Sequence, residues 1–316
     1  MTTFANIFRI ISCMVPEKIS QNSVKAWILA ARPKTLSGAA VPIMIGVALA
    51  YTDCKNEYIT FNITAALLCF LFAMTMQIDA NFINDYFDFV KGTDDVDKRL
   101  GPRRACAQGW IRAKSMKHAI IITTLIACAI GMPLIFYGGI EMILIGILCI
   151  IFCFLYTTYL SYIGMGDVLV LVFFGIIPIC ITYFIQTHTL SLEVLTTSIA
   201  CGLTIDCLLL INNFRDRDTD RESGKNTLVV RIGTKWALKL YLYCGLASCI
   251  LGAINAIYGH PIALVLPIIT YLPLHIATYR EIVRINKGKA LNACLTKTSR
   301  NILIYGIAIC VGILII

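Results

Sequence analysis

Two polar stretches carry residue types whose spacing suits a hard metal ion. In INNFRDRDTDRESGKNTLVVRIG, residues 211–233, Asn212, Asp216 and Asp220 recur at every fourth position. In FINDYFDF, residues 82–89, Asn84 and Asp88 repeat that interval, with Asn81 about one turn earlier. If each stretch is helical, each set lies along one face, and Asp85 and Asp218 point elsewhere. Carboxylates stacked at this interval repel one another, so a helix gains no stability from them. They are tolerated where a cation sits among them. Oxygen-only donors from Asn and Asp select a hard ion, and Mg²⁺ typically takes one or two carboxylates together with phosphate oxygens. Lys91, Arg99, Arg103 and Arg104 follow the first acids, and Arg215, Arg217, Arg221, Lys225 and Arg231 interleave with the second. Acids that hold Mg²⁺, beside bases that hold phosphate oxygens, describe a diphosphate site. A solvated loop pairing its own charges would explain one such stretch, but explains two matched stretches poorly.

The elements that position these stretches are membrane spans. The chain has 316 residues, 58% hydrophobic and only 14% charged, where a soluble domain runs nearer a quarter charged. Nine apolar runs are long enough to cross a bilayer: about 35–53, 60–82, 118–138, 141–160, 166–186, 191–211, 237–257, 261–279 and 301–316. The expected fold is therefore all-α, a polytopic membrane bundle forming one domain over 1–316, with longer polar loops at about 85–117 and 212–236. Both polar stretches end an even-numbered span, four spans apart, and align without gaps. That predicts two pseudo-repeated four-helix halves plus a ninth helix.

Nine spans place the N-terminus and the loops after spans 2, 4, 6 and 8 on one side. Of the 27 Lys and Arg residues, only Lys55 falls on the other side. The positive-inside rule makes the basic side cytoplasmic, and the want of a targeting sequence favours a plasma membrane, with an organelle membrane as the alternative. The net charge of +9 thus reflects topology and anionic lipid or substrate, and no nucleic acid is expected. Among the 14 cysteines there is no CxxC pair, which argues against zinc or redox chemistry; Cys149 and Cys153 share a face that reads as packing. The four histidines show no ligand spacing. Residues 1–22 read as disordered or interfacial, and 23–34 as a short surface helix anchored by Trp27. Asp79 and Asp206 fall inside spans 2 and 6, where each needs a partner or a cavity.

NDYFDFVKGTDD and NNFRDRDTDRESGKNTLVVRIG resemble the two Asp-rich motifs of the UbiA superfamily of intramembrane prenyltransferases. AARPKTL, DKRLGPRRACAQGWI, GMGDVLVLVFFG and DTDRESGKNTLVVRIG resemble the branch that acts on 1,4-dihydroxy-2-naphthoate in menaquinone synthesis. The resemblance implies Mg²⁺ held by Asn84, Asp85, Asp88 and Asp94 and by Asn212, Asp216 and Asp220, with Asp88, Asp216 and Asp220 essential to catalysis. It implies that Lys91, Arg103, Arg215 and Lys225 grip the diphosphate of a polyprenyl diphosphate, with Tyr156 beside it. Relatives carry Tyr-x-x-x-Lys after span 4; here Leu160 stands at the Lys position. The implied reaction is transfer of the polyprenyl group to the aromatic acceptor, with loss of diphosphate and CO₂. Phe82, Tyr86 and Phe214 would flank the allylic cation and Arg32 the acceptor's carboxylate; the residue that manages the ring proton stays open, with Asp167 one candidate. Another acceptor, such as 4-hydroxybenzoate or homogentisate, remains an alternative within this class, as does a terpene cyclase. A secondary transporter fits repeated halves but would place its charges near the midplane, and a lipid-binding scaffold needs no metal clusters.

Overall fold

The computed structural model describes residues 19–92 and 99–315. A surface helix, Val24–Ala31, opens the described chain; Ser23 caps it by accepting from the Ala26 amide at 3.3 Å. Nine helices long and apolar enough to cross a membrane follow among the described residues. They are α1 (Ser37–Asn56), α2 (Ile63–Val90), α3 (Ala113–Gly138), α4 (Glu141–Leu160), α5 (Gly166–Thr187), α6 (Leu192–Glu222), α7 (Leu228–Ile257), α8 (Pro261–Ile285) and α9 (Leu291–Leu314). The all-α, multi-pass reading holds.

The differences from the expected spans concentrate at the basic end. α2 has 28 residues and α6 has 31; at 1.5 Å per residue these are about 42 and 46 Å long, against a hydrocarbon core of about 30 Å. Both polar stretches are therefore helix extensions that leave the apolar layer, and their fourth-residue stripes are real. The expected loop at 212–236 is mostly helical. Only Ser223–Thr227 interrupts it, where Thr227 caps α7 through the Val230 amide, and Gly233 at φ 77° kinks the first turns away from the rest. α9 begins ten residues before the apolar run, so its polar first turns stand beside the site. Residues 1–18 lie outside the described residues.

α1, α6 and α9 are the most enclosed spans, while α3 and α4 face outward along most of their length. Small residues set the closest crossings, as van der Waals contact in lipid requires. A Cβ on Gly175 of α5 would lie 2.7 Å from the Gly202 Cα of α6, and one on Gly312 would lie 2.3 Å from the Ala263 Cα. Asp79 is fully buried and accepts from the Thr123 and Thr124 hydroxyls of α3 at 2.5 and 2.7 Å, so it ties two helices together rather than lining a cavity.

Candidate active site

The end of α2 presents the first stripe. Asn84 accepts from the Thr157 hydroxyl at 2.6 Å. One turn on, Asp88 accepts from Arg104 Nη2 at 2.6 Å. Asp85 departs from the expected metal set. It is 1% exposed, and its two oxygens accept from the backbone amides of Ala105 and Cys106, each at 2.8 Å. Off the stripe by about 100°, it pins the 99–112 loop onto α2. That pinning carries Arg104 to Asp88, while Arg103, the expected diphosphate ligand, points outward. Lys91 donates to the Thr158 carbonyl at 2.7 Å and lies 4.2 Å over the Tyr162 ring. Asp94 lies outside the described residues.

The end of α6 presents the second stripe. Arg215 is nearly fully buried and spans it: Nε and Nη2 donate to the two oxygens of Asp216 at 2.8 and 2.5 Å, and Nη2 also to Asn212 Oδ1 at 2.8 Å. Asp220 stands 3.9 Å from Lys225, and its Oδ2 is buried with no partner. Asp218 points away, as its register requires, to an exposed pair with Lys287 at 2.8 Å. Arg217 donates to the carbonyls of Phe214 and Asn286 at 2.6 and 2.9 Å, and Arg231 to that of Ile163 at 2.6 Å, so these two bases bind backbone.

The two stripes share one site. Lys225 acts electrostatically on both Asp88 and Asp220, and Asp220 also feels the charge of Asp88. Lys225 also lies 5.9 Å from the Tyr162 ring that carries Lys91, so one ring neighbours both bases. Tyr156 opens the last turn of α4, within electrostatic reach of Asp88, Asp220, Asp167 and Asp206. It lines a small cleft with Gly166, Asp167, Asn213 and Lys225. Arg32, in a left-handed turn at φ 51°, brings its charge within reach of Asp88. The aromatic residues expected near the reacting carbon pack elsewhere: Phe82 edge-on to Trp27, Tyr86 edge-on to Phe87, and Phe214 beneath Arg217.

No three His, Cys, Asp or Glu side chains among the described residues converge as a metal cage. The acids instead alternate with guanidinium and ammonium groups around an open end, the arrangement for an ion shared between one or two carboxylates and a phosphate-bearing ligand.

The family profile of the UbiA prenyltransferase family matches residues 39–311. The chain belongs to that family. It is an aromatic prenyltransferase built as a multi-pass membrane protein. Its sequence is 34% identical over 315 residues to the 1,4-dihydroxy-2-naphthoate octaprenyltransferase of Escherichia coli (strain K12), covering 95% of this chain and 98% of that one. The enzyme of the same description from Haemophilus influenzae is 37% identical over 229 residues, 70% of this chain and 73% of that one. Among solved structures, a UbiA homologue from Aeropyrum pernix K1 superposes with a TM-score of 0.65 at 17% identity, over 88% of this chain and 97% of that one. A UbiA homologue from Archaeoglobus fulgidus, bound to GPP and Mg²⁺, gives 0.59 at 15% identity, over 90% and 99%. The family shares the helical bundle of this chain.

Sequence reasoning missed three features of the site. Arg104 is one residue from the base it favoured, and only the Asp85 anchor decides between them. Tyr162 lies outside both Asp-rich stretches, and its residue type alone gave no signal. Asn292 lies far along the chain from both motifs, and its contact with Arg215 is purely tertiary.

Proposed function

We propose that this protein transfers a polyprenyl group from a polyprenyl diphosphate to 1,4-dihydroxy-2-naphthoate, releasing diphosphate and CO₂ and forming demethylmenaquinone. It does so as a single domain in the plasma membrane, with the motif ends of α2 and α6 on the cytoplasmic side. The observation that carries the reading is the pair of Asn/Asp stripes meeting across Lys225 at the edge of the apolar layer. The naphthoate acceptor rests on the similarity to the E. coli and H. influenzae enzymes.

The residues present fit Mg²⁺. Every candidate donor is oxygen, and Asp220 keeps a buried, unpartnered Oδ2. Asn84, Asp88, Asn212, Asp216 and Asp220 would hold the ion. When bound, it neutralises charge building on the departing diphosphate. Arg104 brings a guanidinium, the planar fork matched to phosphate oxygens, to Asp88, Arg215 is held between Asn212, Asp216 and Asn292, and Lys91 and Lys225 add point charges beside Tyr162. Asn212 and Asp216 fix Arg215 from one side, so little ordering is left for the moment of reaction. The packed apolar cluster of α1, α5, α6 and α9 adjoins this end. Such surroundings keep water from the allylic carbon as its bond to oxygen breaks. Arg32 is placed to hold the acceptor's carboxylate near Asp88.

The test is an assay of the purified chain in nanodiscs with 1,4-dihydroxy-2-naphthoate, octaprenyl diphosphate and Mg²⁺, read by product mass. Demethylmenaquinone that disappears with EDTA and returns with Mg²⁺ is expected. Product with 4-hydroxybenzoate but none with the naphthoate would overturn the acceptor assignment. Product unaffected by EDTA would overturn the metal site.

A further inference from the structure

The cleft beside the stripes holds a carboxylate that the diphosphate chemistry does not use. Asp167 is the second residue of α5 and is 9% exposed, and neither of its side-chain oxygens has a hydrogen-bond partner in another residue. It lines the cleft with Tyr156, Asn213 and Lys225. Asp206, further along α6 toward the membrane, is 5% exposed with Oδ1 likewise unpartnered, and its charge reaches Asp167. The contrast with two other buried carboxylates is informative. Asp79 receives two threonine hydroxyls, and Asp85 receives two amides. Leaving a buried polar group unpaired costs about 1–3 kcal/mol, more when it is charged. A fold that satisfies Asp79 and Asp85 but leaves both Asp167 oxygens open, in a cleft beside the reacting end, holds them for a donor on a ligand.

The proposed reaction brings one such donor, the ring hydroxyl of the acceptor. We propose that the cleft of Tyr156, Asp167 and Asn213 is the acceptor's hydroxyl subsite, with Asp167 receiving the hydroxyl proton as the ring carbon attacks. This inference rests on the function proposed above. The allylic C–O bond breaks, and its electron pair leaves with the diphosphate. A ring carbon ortho to the hydroxyl forms the new C–C bond. The O–H pair becomes the second bond of a ring carbonyl, and the proton passes to Asp167. Departure of CO₂ from the attacked carbon returns a pair to the ring, and the proton goes back to the oxygen. A nearby carboxylate base raises the ring's nucleophilicity where the cation forms. Such proton transfer contributes typically 10²- to 10⁴-fold.

The experiment uses the full chain in nanodiscs with 1,4-dihydroxy-2-naphthoate and farnesyl diphosphate. Binding of the unreactive farnesyl thiolodiphosphate with Mg²⁺ is measured separately. Asp167→Asn is expected to lower kcat by about 100-fold or more while analogue affinity stays within about twofold of wild type; Asp167→Glu should recover part of the rate. With wild type, the acceptor methylated on the attacking ring's hydroxyl should turn over as poorly as the parent acceptor does with the variant, a comparison that does not depend on the variant folding. Turnover of Asp167→Asn within about fivefold of wild type would overturn the proposal, as would full turnover of the methyl ether. Parallel loss of analogue binding would move Asp167 to the diphosphate site and overturn it equally. If wild type bound the analogue yet prenylated no phenol, the function itself would fall, an outcome distinct from undiminished turnover in the variant.

Discussion

Arg215 Nη1 donates to Asn292 Oδ1 at 2.9 Å, and the same Asn292 side chain donates through Nδ2 to the Leu100 carbonyl at 2.8 Å. One amide at the start of α9 thereby joins the second stripe to the loop that follows the first. Gly101 fits against the guanidinium so closely that a Cβ there would lie 2.6 Å from Nη2. Asn292→Ala leaves Arg215 and the Leu100 carbonyl each short of a partner. A hydrogen bond to a charged group contributes about 1.5–3 kcal/mol, so kcat/KM for the prenyl diphosphate should fall by about 10- to 100-fold. Asn292→Asp keeps the acceptor for Arg215 but lacks the donor for Leu100, and adds a carboxylate competing for the guanidinium, so it should not rescue. Steady-state kinetics against prenyl diphosphate concentration checks both.

The second prediction separates acids by register. Asp88→Ala, Asp216→Ala and Asp220→Ala should each reduce turnover by more than about 100-fold, the scale of losing a group that positions transition-state charge. Asp218→Ala removes only an exposed ion pair with Lys287, of the kind worth about 0–1 kcal/mol, and should stay within a few-fold of wild type. Membrane-inserted protein is quantified in parallel. Equal loss at Asp218 and Asp216 would mean that the α6 stripe does not organise the site.

The third concerns the loop anchor. Asp85→Asn replaces one acceptor with an NH₂ group, so only one of the Ala105 and Cys106 amides keeps its partner. Hydrogen exchange at those two amides should accelerate, and activity should drop because Arg104 is no longer held at Asp88. The variant should still insert. Unchanged exchange with lost activity would instead place Asp85 among the metal donors.

How much of this was legible in the sequence follows from what each feature depends on. The nine spans were readable because crossing a bilayer needs a long apolar run whatever its neighbours are. The stripes were readable because fourth-residue spacing is local to one helix; Asp218 was correctly set apart on that ground. The starts of α7 and α9 were not: α7 opens with a short, mostly apolar turn, residues 228–232, cut from the long run by the Gly233 kink and charged neighbours, and α9 opens with largely polar turns that hydropathy does not mark. Asp85 illustrates the deeper limit. By residue type it was a ligand, but its partners are backbone amides twenty residues on, and an amide carries no residue-type signal. Asn292 is still less readable, since its two partners lie 77 and 192 positions away.

The last prediction tests the scaffold beneath the site. Gly175 and Gly202 meet where α5 crosses α6, ten residues before Asn212 in α6. A valine at 175 would place its Cβ 2.6 Å from the Ser198 carbonyl and 2.7 Å from the Gly202 Cα. Both are backbone atoms that cannot swing aside, so the helices must separate. Overpacking of this kind costs about 1–3 kcal/mol, and here it also shifts α6 relative to α5, which carries Asp167. Gly175→Val should lower thermal stability in detergent and reduce turnover together, whereas Gly146→Val, at a position with open space around it, should change neither. Thermal unfolding and turnover of the two variants, side by side, distinguish a general effect of adding bulk to a span from the specific need for close contact at this crossing.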